Sequence, residues 1–196
     1  MKKRISKKHR VTKETDIQLS VNLDGQGKYS VSTTIPFLDH MLELFSKHSL
    51  IDLTVKAKGD THIDAHHLVE DIGITLGSAI DEALGNKKGV QRYGFFLLPM
   101  DEALSYVTLD LSGRPWVEYE VPCFKLDWKT FDLDLLEDFF RALGTVARMN
   151  LHIKLLRGRN NHHMAESIFK AFGKALSMAV AKDQRYKGMP STKGYL

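Results

Sequence analysis

Cysteine is nearly missing from this chain: Cys123 is the single thiol in 196 residues, so no internal disulfide can form and a reducing cytoplasm is the expected setting. Long apolar runs are missing as well. No stretch reaches the roughly 18 consecutive apolar residues of a membrane span. The opening "MKKRISKKHR" is basic, but no apolar segment follows it, so it does not read as a secretory signal. Net charge is only +4, and much of it sits in that opening and in the tail "KDQRYKGMPSTKGYL". Basic ends of this kind read either as solvated tails or as attraction to an anion. Aromatic residues are not interleaved with the basic runs, which argues against a nucleic-acid groove. With 43% hydrophobic and 27% charged residues, the chain has the make-up of an ordinary globular protein, long enough for one domain or two small ones sharing a core.

What is present is a repeat. "AHHLVED" (65–71) and "NHHMAES" (161–167) both carry His-His-x-x-Glu, about a hundred residues apart. With the two pairs set in register, "FLDHMLELFSKHSLIDLTVKAKGD" lies over "LLEDFFRALGTVARMNLHIKLLRG" without a gap. Leu42 then meets Phe140, Phe45 meets Leu143, Leu53 meets Leu151 and Val55 meets Ile153. Upstream, "ETDIQLSVNLDG" (14–25) lies over "EALSYVTLDLSG" (102–113), which points to an ancient duplication.

Each half reads alike. Period-two alternation in "DIQLSVNL" and "LSYVTLDL" predicts a strand, and "KYSVSTTI" and "PWVEYEVP" predict a second. Apolar spacing of three and four predicts helices over Pro36–Lys47 and Leu133–Arg148. A third strand, "LIDLTVKAKG" or "NLHIKLLRG", leads into the His-His helix. The expected class is therefore α+β, internally duplicated, with two similar half-domains, each a small β-sheet backed by two helices. The expected bounds are a basic N-terminal tail over 1–9, a first half over 10–90, a second over 91–185 and a C-terminal tail over 186–196, the halves packing as one globular unit. The apolar strand "FFLLPM" (95–100) suits a subunit interface or the internal core equally.

His-His-x-x-Glu is chemistry waiting for an ion. On a helix, i and i+4 share a face, so His66 with Glu70, and His162 with Glu166, form two-ligand clips. Their neighbours His67 and His163 point about a hundred degrees away and can serve a different ion. Imidazole with carboxylate suits manganese, iron, nickel or zinc; the absence of cysteine argues against a structural zinc site. Two clips cannot complete two coordination spheres. His40 in "FLDHML" is the best local addition, with Asp138 in "LLEDFF" as its repeat partner. His152 reads as a strand histidine, and His48 stays open between a ligand and another role.

At this point a family comes into view. "TKET" (12–15), "PFLDHMLELFSKH" (36–48), "DAHHLVEDIGITLGSAI" (64–80) and "PMDEAL" (99–104) resemble imidazoleglycerol-phosphate dehydratase, as do "DLSGRP" (110–115), "NNHHMAESIFKAFGKAL" (160–176) and "PSTKGYL" (190–196). The resemblance runs in order from about Arg10 to the C-terminus and is to the monofunctional form. It implies dehydration of imidazole glycerol phosphate to imidazole acetol phosphate in histidine biosynthesis, two manganese ions per subunit, and a 24-subunit particle with shared active sites. Carried over, the metal ligands are His40, His66, His67, Glu70, His162, His163 and Glu166. Phosphate binding falls to Arg92, Arg114, Ser191 and Lys193; Glu14 and Lys170 face the substrate, and His40 and His48 stand with the substrate-binding positions. The catalytic set is then Glu14, His66, Glu70 and Glu166. Where many relatives carry a histidine at or beside position 138, this chain has Glu137 and Asp138, so an eighth ligand would be a carboxylate or a water.

The resemblance sets the chemistry such a site is expected to perform. On this expectation a substrate imidazole held between two cations would lose its N–H proton, the electron-rich ring would expel the 3-hydroxyl, and loss of the C2 hydrogen would give an enol that becomes the ketone. Glu14 is the candidate acid/base, with Glu102 as its repeat partner. Two other readings remain on the sequence alone: a paired-metal hydrolase of a phosphorylated small molecule, and a non-enzymatic duplicated module binding RNA or an assembly partner. The first would cleave a phosphoester, and the second would bind RNA salt-sensitively and hold no metal.

Overall fold

In the computed structural model, which describes residues 3–122 and 131–196, the alternation becomes strand in both halves and the two copies follow one plan. The first half contains β1 (Ile5–Val11), β2 (Thr15–Asn22), β3 (Tyr29–Ser32), α1 (Pro36–Ser49), β4 (Asp52–Gly59) and α2 (His66–Leu84). The second contains β5 (Tyr93–Met100), β6 (Ala103–Asp110), β7 (Trp116–Glu120), α3 (Leu135–Val146), β8 (Asn150–Arg157) and α4 (Asn161–Val180). The sheets have the same order, β1-β2-β4-β3 and β5-β6-β8-β7. β2 and β6 bury alternate residues in an identical pattern, because one face of each packs on helices. β3 and β7 run parallel to β4 and β8, so α1 and α3 are the crossovers those pairings require. Pro36 opens α1, where its missing N–H costs nothing. The chain leaves α1 and α3 through residues with positive φ, Leu50 (61°) and its repeat partner Arg148 (52°).

The helices pair across the halves: α1 packs along α4, and α2 along α3. Glycine permits the approach. A Cβ at Gly77 would stand 2.6 Å from the Leu143 carbonyl oxygen, and one at its partner Gly173 would stand 3.0 Å from that of Phe45. Leu143 and Phe45 are themselves repeat partners, so the two contacts are images of each other. Phe45 stacks on Phe172 at 5.4 Å between ring centroids, and Phe140 meets Phe169 at 5.0 Å. One buried cluster runs from Ile17 to Val180 through both halves. Among the described residues, no helix is long and apolar enough to cross a membrane.

Several expectations need correction. Residues 5–9 are not a solvated tail. They belong to β1, which pairs antiparallel with β2 from Ile5↔Asn22 to Val11↔Asp16. The physical reason is that the basic residues have acidic partners in the same chain: Arg4 with Asp24, Lys8 with Glu82, and Arg10 with Asp71 at 2.7 Å. Cations held this way are not free for a nucleic acid. With β1 the first sheet has four strands rather than three, matching the second, where β5 contains the apolar strand "FFLLPM". The β3 and β7 segments are shorter than "KYSVSTTI" and "PWVEYEVP", since only Tyr29–Ser32 and Trp116–Glu120 reach the parallel partner. α1 runs on to Ser49, and α3 is trimmed to Leu135–Val146. Met1, Lys2 and Cys123 lie outside the described residues.

Candidate active site

The cross-half helix pairing is what builds the site. His40, one turn into α1, meets the start of α4, where Asn160 caps the helix by accepting from the His162 and His163 backbone N–H groups. His40 Nε2 and His162 Nε2 each stand 2.9 Å from the same oxygen, Glu166 Oε1. Lys170 Nζ donates to the other oxygen, Oε2. The donor atoms of His40, His162 and Glu166 lie within 4.8 Å of one another. Phe37 closes one side, its ring edge-on to His162 at 5.6 Å. Burial pushes the Glu166 carboxyl up, but Lys170, His40 and His162 outweigh it and hold the group at about 2. It is therefore a buried carboxylate that stays ionised.

The repeat-related place lies between α2 and α3. There His66 Nδ1 is 3.3 Å from Asp138 Oδ2, so Asp138 stands where His40 stands in the first cluster. Asp64 Oδ1 accepts from the His66 backbone N–H at 2.8 Å, as Asn160 does for His162. Glu70, one turn further along α2, is exposed. Thus the two clips differ: His162 and Glu166 are closed on each other, whereas His66 turns to Asp138.

The second histidine of each pair faces elsewhere. His67 Nδ1 is 3.0 Å from Asp60 Oδ2 and 3.9 Å from Glu14 Oε2. His163 Nδ1 is 2.7 Å from Glu102 Oε2. The Asp60 bond raises the His67 pKa, and the Glu102 bond raises that of His163. Asp60 was not expected from the sequence. Its only signal is an acid ending the strand "KAKGD" shortly before the His-His pair.

The remaining predicted residues fall into two groups. Arg92, Arg114, Ser191 and Lys193 line one open pocket, together with Ser112 and Tyr195. Arg92 grips Asp110 with Nε at 2.6 Å and Nη2 at 2.9 Å, and donates from Nη1 to the Pro190 carbonyl at 2.8 Å. It therefore ties down the C-terminal segment, while Arg114 is exposed to the opening. The chain's end docks on Gly113 (φ 77°), where a Cβ would stand 2.7 Å from the Leu196 carbonyl carbon. His48 lies apart from this pocket, half-buried near Lys170 and Lys174; burial and then those cations push its pKa down. His152 is exposed on β8, outside both clusters.

Fold and site together define a duplicated α+β protein whose halves are joined by two repeat-related histidine–carboxylate clusters. Residues 33–176 match the model of one family, imidazoleglycerol-phosphate dehydratase. A relative of that name from Endomicrobium trichonymphae is 59% identical over 196 residues, covering all of both chains. One from Desulforamulus reducens is 56% identical, again over the whole of both. Among solved structures, the Staphylococcus aureus imidazoleglycerol-phosphate dehydratase aligns with TM-score 0.82 and 42% identity, covering 91% of this chain and 99% of that one. The Pyrococcus furiosus enzyme in complex with (S)-C348 gives 0.83 and 37%, covering 96% and 100%. The chain belongs to the imidazoleglycerol-phosphate dehydratase family and is an enzyme, a dehydratase of histidine biosynthesis.

Proposed function

We propose that this enzyme converts imidazole glycerol phosphate to imidazole acetol phosphate and water, using two manganese ions per subunit. The observation that carries the reading is the convergence of His40, His162 and Glu166 within 4.8 Å, at a place repeated by Asp138 and His66. This donor set of imidazole nitrogens and carboxylate oxygens, without thiolate, fits manganese and neighbouring divalent transition metals. His40, His162 and Glu166 would hold one ion; His66, Glu70 and Asp138 would hold the other. His67 and His163 turn toward Asp60 and Glu102 rather than into either cluster, so we assign them to ions shared with neighbouring subunits. Such ions, when bound, would supply Lewis-acid chemistry that acidifies the N–H of the substrate's ring.

The chain's own groups do the rest. Arg114, Lys193 and Ser191, with Arg92 holding the tail in place, offer charge-assisted hydrogen bonds to a phosphate. Residues 186–196 thus act as a substrate-binding tail. Glu14, exposed in the turn before β2 and 3.9 Å from His67, would take the C2 hydrogen as a proton once the 3-hydroxyl leaves. Lys170 keeps Glu166 ionised, and His48 adds a half-buried imidazole beside Lys170 and Lys174.

The reading includes self-association into a 24-subunit particle. β5 presents Tyr93, Phe95 and Leu97 outward at 58%, 60% and 53% exposure, an apolar strip suited to burial against another copy. A cytoplasmic location accords with the lone cysteine. The decisive experiment is turnover of imidazole glycerol phosphate by chelator-stripped protein with and without added Mn2+. Activity only with the metal supports substrate, reaction and cofactor together; no activity in either arm, with metal bound, sinks the reading. Deleting residues 190–196 should raise KM sharply and leave metal binding intact. An unchanged KM would take the tail out of the site.

A further inference from the structure

Glu14 and Glu102 are repeat partners, and each ends a hairpin turn, β1–β2 or β5–β6. Their surroundings are not equivalent. Glu102 Oε2 accepts from His163 Nδ1 at 2.7 Å, while Oε1 accepts from the Asn160 backbone N–H at 2.8 Å and that of Arg159 at 3.3 Å. Both of its oxygens are committed. Glu14 makes no such bonds among the described residues: its carboxylate is 52% exposed and 3.9 Å from His67. At His67 the close contact comes from another element, Asp60 just past β4, whose side chain is only 15% exposed.

A steric difference accompanies the exchange. The β4–β8 alignment puts Gly158 opposite Asp60, and a Cβ at Gly158 would stand 2.4 Å from Met164 Cγ. A side chain there would have to displace Met164, and the carboxylate that contacts His163 comes from the hairpin instead.

We infer that Asp60 and Glu102 are the positioning residues of the second histidine in each pair, so that Glu14, the repeat partner of Glu102, does not share that duty. A neutral imidazole whose Nδ1–H is held by a carboxylate presents Nε2 as a fixed lone pair, which is what a metal ligand must offer. The inference rests on the metal reading above and deepens it, because it breaks the functional symmetry between Glu14 and Glu102.

The test compares Glu14→Gln, Glu102→Gln, Glu102→Met and Asp60→Asn in the full-length protein. Mn2+ binding is measured by equilibrium dialysis and by electron paramagnetic resonance of the free ion, and kcat is followed as a function of Mn2+. Glu102→Gln and Asp60→Asn should bind Mn2+ roughly 10–100-fold more weakly, with kcat largely recovered at saturating metal. Glu102→Gln, which keeps an acceptor oxygen, should retain more affinity than Glu102→Met; a merely structural role would not order them so. Glu14→Gln should bind Mn2+ normally and lose roughly 100- to 10,000-fold in kcat at any metal concentration. Unchanged Mn2+ affinity in Glu102→Gln, with kcat lost even at saturation, overturns the inference and makes Glu102 a second proton-transfer group. Should Glu102→Met not fold, Asp60→Asn carries the same question at His67. Wild-type protein that binds no Mn2+ sinks the metal reading itself, and is seen before any variant is made.

Discussion

The two junctions between the halves are built from repeat partners, yet they have diverged in charge and burial. At the α1–α4 junction two imidazoles share Glu166, which is 9% exposed and backed by Lys170. At the α2–α3 junction one imidazole faces Asp138, with the two side chains 43% and 41% exposed, and Glu70 open to solvent. Lys170 has Ile74 as its repeat partner, so the second junction has no fixed cation at that place. Duplication copies backbone geometry, because the sheets, crossovers and glycine contacts recur. It does not preserve electrostatics, which single side chains can change. One cluster is closed and nitrogen-rich; the other is open and oxygen-rich, a difference that bears directly on which ion each prefers.

The sharpest way to break the comparison is to remove the anion of the closed cluster. On the two-manganese proposal, Glu166→Gln should cost one of the two ions and on the order of 1,000-fold in kcat, since metal charge stabilisation is worth several kcal/mol. Full retention of both ions would show that the closed cluster is not a metal site. Next comes the open cluster. Asp138→Ala should weaken Mn2+ binding at least as much as the roughly 10–100-fold of an outer partner. Asp138→His should make the two classes of site converge in a competition titration between Mn2+ and Co2+. If Asp138→Ala titrates like the parent chain, Asp138 is not a ligand.

Smaller effects test the packing that holds the junctions. Gly77→Ala meets the Leu143 carbonyl oxygen at 2.6 Å and Gly173→Ala meets that of Phe45 at 3.0 Å, so the first should cost more. Overpacking of this kind costs about 1–3 kcal/mol. Each kcal/mol lowers Tm by roughly 2–4 °C in a chain of this size, which a thermal melt reads directly. Equal drops would mean that the α2–α3 contact yields as easily as the α1–α4 one.

The gentlest test is acid. Glu166 is held at about 2 against an ordinary 4.5, so its pairing contributes stability that is complete above 4.5 and is lost as pH falls toward 2. Lys170→Met takes away the foremost group lowering that pKa and should start the acid loss at a higher pH, followed by circular dichroism. An unshifted acid transition would show that the two histidines alone keep the group ionised.

Local signals were legible from the start. Alternation located β2 and β6, the runs "LIDLTVKAKG" and "NLHIKLLRG" marked β4 and β8, and spacing of three and four located α1 and α3, because each depends only on which face of one element is buried. The i,i+4 relation of His162 and Glu166 is likewise a property of one helix. β1 was not legible: "ISKKHRV" looks solvated until Glu82 and Asp71 on α2 are seen to neutralise it. Nor was Asp60, because nothing in "KAKGD" tells that its last residue faces His67.

By itself, then, the sequence determined that the chain is duplicated, which faces of its helices and strands are apolar, and where the His-His-x-x-Glu clips begin. Only the tertiary structure decided that His40 joins the clip of the other half, that Asp138 meets His66, and that Glu102 rather than Gly158's neighbourhood serves His163. The physical reason is distance along the chain. Periodicity reports on neighbours within a turn or a strand, while these contacts span scores of residues and depend on how closely two helices can approach at Gly77 and Gly173.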